Sequence, residues 1–152
     1  MAVYTKIDKR DIKLINTNFK IEKIISFQGI KQGIENTNYL LKSKNKKFIL
    51  TIFEKRVSNK EVPFFMKLMD KLNSSKINCP RPLRTKSNSY LIKLKKKTAC
   101  IVSFLEGKDK KKLSIKDCYA VGKITAQMHL VTEKLKLYRK NSMGIKNLNS
   151  LL

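Results

Sequence analysis

The sequence predicts an α+β fold, an antiparallel sheet with a helix inserted between its third and fourth strands. Three observations carry this. Short apolar runs rich in Ile, Leu, Tyr and Phe are separated by Gly and Lys/Asn turns, and two longer stretches have helical rather than alternating spacing. The "NCPRPL" segment stops the inserted helix and forces an extended chain. The resulting order is helix, three strands, helix, two strands, helix, which is not the alternation of a parallel βαβ fold.

The elements follow in chain order. "DKRDIKLINTNF" places Ile12, Ile15 and Phe19 on one face of a short opening helix. "IEKIISFQGI", "TNYLLKS" and "KKFILTIFE" read as a meander, with "KSKNKK" as the second turn. In "SNKEVPFFMKLMDKLNSSK", Phe65, Leu68, Met69 and Leu72 share a helix face. Ser58 and Glu61 have capping-box spacing, but an interior proline costs about 3 kcal/mol against about 1 for a cap, so the helix should start near Pro63. "NSYLIKLK" and "TACIVSFLEG" form a second hairpin. The last helix is "SIKDCYAVGKITAQMHLVTEKL", capped by Ser114 and Asp117, with Cys118, Val121, Thr125 and Met128 on one face.

Composition limits the function classes. The chain of 152 residues suits one ordinary core. The formal charge of +24 suggests nucleic acid at first. Yet the 30 lysines and 5 arginines are spread from Lys6 to Lys146, without the arginine clusters and interleaved aromatics of a nucleic-acid face. The dense runs "KLKKKT" and "KDKKKLS" fall at a turn and a loop. A solvated lysine-rich surface, with no specific nucleic-acid partner, is the expectation. The opening "MAVYTKIDKRD" has no apolar signal core, and no apolar run approaches the ~18 residues of a membrane span. Cys79, Cys100 and Cys118 form no metal-ligand spacing and read as reduced thiols of a cytoplasmic protein.

The chemistry lies in "SFQGIKQGIENTNYLL", where Gly29 and Gly33 stand between two strands. A dinucleotide-binding or P-loop glycine segment opens a helix, and no GK[ST] follows here, so both are excluded. Strand, glycine loop, strand and third strand is instead the order at the start of a protein-kinase lobe, where loop amides cover nucleotide phosphates. The plain alternative is that Gly33 and Asn36 only supply positive φ for a turn.

The surrounding blocks bear on that choice. "GIENTNYLL", "FILTIFE", "CPRPL", "IVSFLEG" and "VGKITAQMH" resemble, in order and spacing, the aminoglycoside phosphotransferase and choline kinase-like superfamily. "MAVYTKI", "FILTIFEKRVSNKEVPFFMKLMD" and "YRKNSMGIKN" look most like its kinase-like (type II) homoserine kinase family, and the resemblance covers essentially the whole chain. It implies a kinase-like N-lobe over 1–107 and the start of a C-lobe over 108–152. It also implies ATP- and Mg²⁺-dependent phosphorylation of L-homoserine in threonine synthesis.

The ATP contacts so implied are Gly29, Gly33, Glu35 and Asn36 in the loop, Thr51 on the third strand, and backbone groups of Phe104, Leu105 and Glu106 at the hinge. Leu50 and Ile52 would form an adenine floor. Thr51 stands where a kinase has its phosphate-binding lysine, so the charge would come from Lys55, Arg56 or elsewhere. Glu61 is either the acidic partner on the following helix or a cap. His129, the single histidine, reads as a core residue.

The superfamily's H-x-D-x-x-x-x-N loop and later aspartate have no counterpart: the acidic residues beyond the hinge are Asp109, Asp117 and Glu133. No catalytic or magnesium-binding residue is therefore expected within these 152 residues, which read as the N-terminal half of such a kinase, inactive alone. The remaining alternatives are another small-molecule kinase of the superfamily and a non-catalytic nucleotide-binding module.

Overall fold

The computed structural model describes residues 3–54, 60–141 and 144. Its element order is α1 (Lys9–Asn18), β1 (Ser26–Gly29), β2 (Thr37–Lys42), β3 (Lys47–Ile52), α2 (Val62–Ser74), β4 (Leu91–Leu94), β5 (Lys97–Ser103) and α3 (Ile115–Glu133). The strands form one antiparallel sheet in the order β1-β2-β3-β5-β4. This is the architecture the sequence predicts.

The sheet is covered differently on its two faces. Tyr39, Leu41, Phe48, Leu50, Ile52, Ala99 and Ile101 point to the side of α1, where Ile12, Ile15 and Phe19 complete the main core. Burying each of these three side chains stabilises the fold by roughly 2 kcal/mol. Asp8 caps α1 in a capping box with Asp11. On the opposite face, Val62 and Met66 of α2 pack on Cys100, with Phe65, Met69, Leu91 and Val102 around them. α2 begins with Pro63 in its first turn, as expected.

The two predicted lysine-rich stretches behave as solvated connections. Lys95 and Lys96 form a two-residue β4–β5 turn at φ 47° and 65°, a conformation that usually selects Asn-Gly. Lys95 Nζ lies 2.9 Å from Asp8 Oδ2 and 3.1 Å from Asp11 Oδ2, so the turn is tied to the start of α1. Residues 108–112 are exposed. "CPRPL" runs extended along the end of β5, with Leu83 N donating to Ile101 O and Ser103 N donating to Arg81 O, both at 2.9 Å.

α3 is capped as predicted by Ser114 and Asp117, yet none of its residues is buried. The predicted face of Cys118, Val121, Thr125 and Met128 is exposed throughout. His129 is exposed as well, which corrects its reading as a core histidine: among the described residues α3 packs along α2, and His129 has no layer over it.

Candidate functional site

The loop between β1 and β2 spans residues 30–36, and Lys31, Gln32, Gly33, Ile34 and Glu35 are all exposed. Gly33 has φ +106°, a conformation that side chains avoid, and a Cβ there would meet nothing within 4 Å. Its backbone is strained for other residues and open to a ligand. Gly29 differs. Its Cβ would lie 2.9 Å from Val3 Cγ2 and 3.5 Å from Tyr39 Cε1, so packing of the N-terminal segment explains this glycine without any phosphate. Asn36 is not among the described residues with positive φ. It holds the loop by its side chain, Oδ1 accepting from Glu54 N at 3.3 Å.

Beside the loop is a cleft of about 430 Å³ lined by Gln28, Gly29, Ile30, Lys31, Gln32 and Leu40. Cross-strand pairing fixes what else shares its side of the sheet: Gln28 pairs with Leu40, Leu40 with Ile49, and Ile49 with Val102. These apolar side chains are half-buried. Asn38 and Thr51 pair next along the same face, Thr51 Oγ1 donating to Asn38 Oδ1 at 2.8 Å. Leu50 and Ile52 were expected as the floor, but both are fully buried on the other face beneath α1. The two-residue period of a strand requires this: if Thr51 faces the site, its two neighbours cannot. Ile49 and Val102 occupy the position instead.

At the hinge, Phe104 N donates to Lys47 O at 3.3 Å, so its amide is spent on the sheet. Leu105 and Glu106 lie beyond the ladder and are exposed. Lys47 Nζ reaches Glu106 Oε1 at 2.9 Å and sits 5.2 Å from the centre of the Phe104 ring.

Glu61 occupies the N-cap position of α2 but makes no capping hydrogen bond. Its Oε1 accepts from Arg139 Nε at 2.8 Å, and the Arg139 guanidinium lies over Phe65. The capping role is thus corrected: an arginine that approaches from beyond α3 takes the carboxylate. Ser58, Lys55 and Arg56 fall outside the described residues.

Sequence reasoning missed Glu54, the last residue of "FILTIFE". Its carboxylate is 8% exposed and accepts from Thr37 Oγ1 at 2.6 Å and Thr5 Oγ1 at 2.7 Å, with Lys97 Nζ as ion partner. Burial opposes the charge, but the hydrogen bonds from Lys97, Thr37 and Thr5 outweigh it and hold the carboxyl below its ordinary value. The available signal was a charge ending an apolar strand. The thiols stand apart from this chemistry: burial pushes Cys100 up to about 12. Among the described residues, no three His, Cys, Asp or Glu side chains gather as metal ligands, and no helix is long and apolar enough to cross a membrane.

Comparison with known proteins agrees with this geometry. The profile described as "Phosphotransferase enzyme family" matches residues 26–147. The homoserine kinases of Bartonella tribocorum and Allorhizobium ampelinum are each 40% identical over 145 residues. The match covers 95% of this chain but 46% and 45% of theirs. The chain therefore spans about half the length of the curated relatives it matches. The crystal structure of spectinomycin phosphotransferase APH(9)-Ia with ADP and spectinomycin superposes with TM-score 0.69 at 18% identity, over 93% of this chain and 44% of that one. A microcompartment-associated aminopropanol kinase gives TM-score 0.69 at 12% identity, over 92% and 47%. The sheet and its helices are those of the kinase-like N-lobe of such enzymes.

Proposed function

The chain belongs to the phosphotransferase enzyme family, and on that premise we propose that it is the nucleotide-binding lobe of an ATP-dependent homoserine kinase. The reaction is transfer of the γ-phosphoryl group of ATP to the side-chain hydroxyl of L-homoserine, giving O-phospho-L-homoserine for threonine synthesis in the cytoplasm. The observation that carries the reading is a single sheet face. Leu40, Ile49 and Val102 form a half-buried apolar platform beneath a loop whose Gly33 backbone is open.

Each part has a chemical role in this reading. The platform takes the adenine ring, and the backbone of Leu105 and Glu106 reads its edge. Amide N–H groups around Gly33 to Asn36 meet the phosphates without interference from a side chain. Asn38, its amide oriented by the Thr51 hydroxyl, offers neutral N–H donors where protein kinases place a lysine. Residues 1–107 form the N-lobe, and residues 108–152 begin the second lobe.

Magnesium neutralises phosphate charge in such transfers. The described residues bring no cluster of ligands for it. We assign those ligands, the aspartate that accepts the hydroxyl proton, and most of the homoserine pocket to the part of a full-length kinase beyond this lobe.

Fold alone does not choose the acceptor, since one scaffold hosts several. The choice of homoserine rests on relatives of that name at 40% identity. The test is ATP turnover by the full-length protein with homoserine, choline and kanamycin side by side. Turnover with homoserine alone is expected; turnover with another acceptor and none with homoserine overturns the substrate while leaving the kinase fold.

A further inference from the structure

The N-terminal segment Val3–Thr5 lies ahead of residue 26, where the family match begins. It belongs to no helix or strand, yet it touches the glycine loop at its start, its tip and its end. At the start, Val3 fills the space over Gly29, with Cγ2 2.9 Å from where a Cβ would stand. At the tip, Tyr4 Oη donates to Ile34 O at 3.0 Å. At the end, the amides of Tyr4 and Thr5 donate to Thr37 Oγ1 at 3.0 and 3.1 Å. Thr5 Oγ1 and Thr37 Oγ1 both donate to Glu54 Oε1, whose own amide holds Asn36. Lys97 Nζ closes the network by donating to Thr5 Oγ1 at 2.8 Å.

We infer that Val3–Thr5 is a strap that positions the phosphate-facing loop, and that the Tyr4 hydroxyl is its tie to the loop's tip. This rests on the nucleotide reading given above. A loop with five consecutive exposed residues and a glycine at its turn samples many conformations. Ligand affinity is reduced by the fraction of time the loop is out of its binding form. The strap raises that fraction before the nucleotide arrives. Its ends are built into the fold through Thr37 and Glu54, whereas Tyr4 reaches the tip through an exposed hydrogen bond. Tyr4 is 56% exposed, so its hydroxyl can be removed without opening the core. Tyr4 is a positioning residue: it meets the loop from outside and touches no substrate.

The experiment is Tyr4→Phe in the 152-residue chain, read two ways. ¹⁵N relaxation gives backbone order parameters for residues 31–36, and titration with millimolar ADP gives an apparent Kd from amide shifts in the loop. Loss of one hydrogen bond predicts lower order in 31–36 with β2 and β3 unchanged, and about fivefold weaker ADP binding. Unchanged order in 31–36 overturns the strap itself. Lower order with unchanged Kd, or no ADP-induced shifts in the loop of the parent chain, overturns its purpose; in the latter case the nucleotide reading falls while the tie remains measurable.

Discussion

The Thr51 hydroxyl donates to the Asn38 amide oxygen at 2.8 Å across β2 and β3. That bond fixes the amide, because an asparagine whose oxygen is engaged keeps its N–H₂ donors for another partner. In the proposed reading of this face as the nucleotide site, Thr51 thus acts by orienting Asn38, without charge of its own. Thr51→Val should cost about 1 kcal/mol of stability and raise the KM for ATP several-fold in the full-length enzyme. Asn38→Asp should be worse, about tenfold or more, because it sets a carboxylate against phosphate oxygens. Steady-state kinetics at varied ATP decide it, and an unchanged KM for ATP in both variants removes the pair from the site.

Gly29 and Gly33 should separate on substitution. Gly29→Ala drives a methyl into Val3 and should lower Tm by a few degrees, at about 1 kcal/mol of overpacking. Gly33→Val meets no neighbouring atom, but a branched side chain at φ +106° is strained and should cost about 1–2 kcal/mol of stability. In the full-length enzyme the same change should damage ATP use far more than homoserine binding. If Gly33→Val leaves the KM for ATP and the turnover intact, the loop is only a hairpin.

What the sequence made legible, and what it hid, follows from which physical signals are local. The succession of helices and strands, the Pro63 start of α2 and the Ser114–Asp117 cap all come from spacing of a few residues. The face of β3 was harder. In "KFILTI" both faces are apolar, because α1 covers one and the α2 side lies over the other, so hydrophobicity cannot set the phase. Thr51 was the phase marker, and it already excluded Leu50 and Ile52 as a floor. Val3 against Gly29 and Arg139 against Glu61 join residues 26 and 78 positions apart, and no periodicity reports such contacts.

Glu54 gives the lobe a pH dependence of predictable sign. Its folded-state pKa lies below its ordinary value of 4.5, so its contribution is fully present above pH 4.5. It is lost as pH falls through the lower folded value and the carboxylate takes up a proton. Unfolding by urea followed downward from pH 6 should therefore show stability falling below about 4.5, with a shallower fall in Glu54→Gln. At neutral pH the same variant should lose about 2 kcal/mol, the scale of hydrogen bonds to a charged group. Parallel curves for the two proteins would mean that Glu54 carries none of the dependence.

The final prediction concerns α3. Its capping box is complete, Asp117 Oδ2 accepting from Ser114 N at 2.9 Å and from Ser114 Oγ at 2.7 Å. Hydrogen bonds from Lys110 and Ser114 hold Asp117 at about 2, so the cap is charged at any ordinary pH. Capping starts a helix but does not sustain one, since most helical stability in proteins comes from burying an apolar stripe. Here Ile115, Tyr119, Val121 and Leu130 are 90%, 72%, 60% and 63% exposed. Exposed apolar side chains at this density favour association. The 152-residue chain should bind a hydrophobic dye and sediment as more than a monomer at high concentration. Val121→Lys with Leu130→Lys should reduce both effects, leaving the circular dichroism of the sheet intact. Monomeric sedimentation of the parent chain at high concentration, with no dye bound, would show that α3 carries its exposed face without consequence.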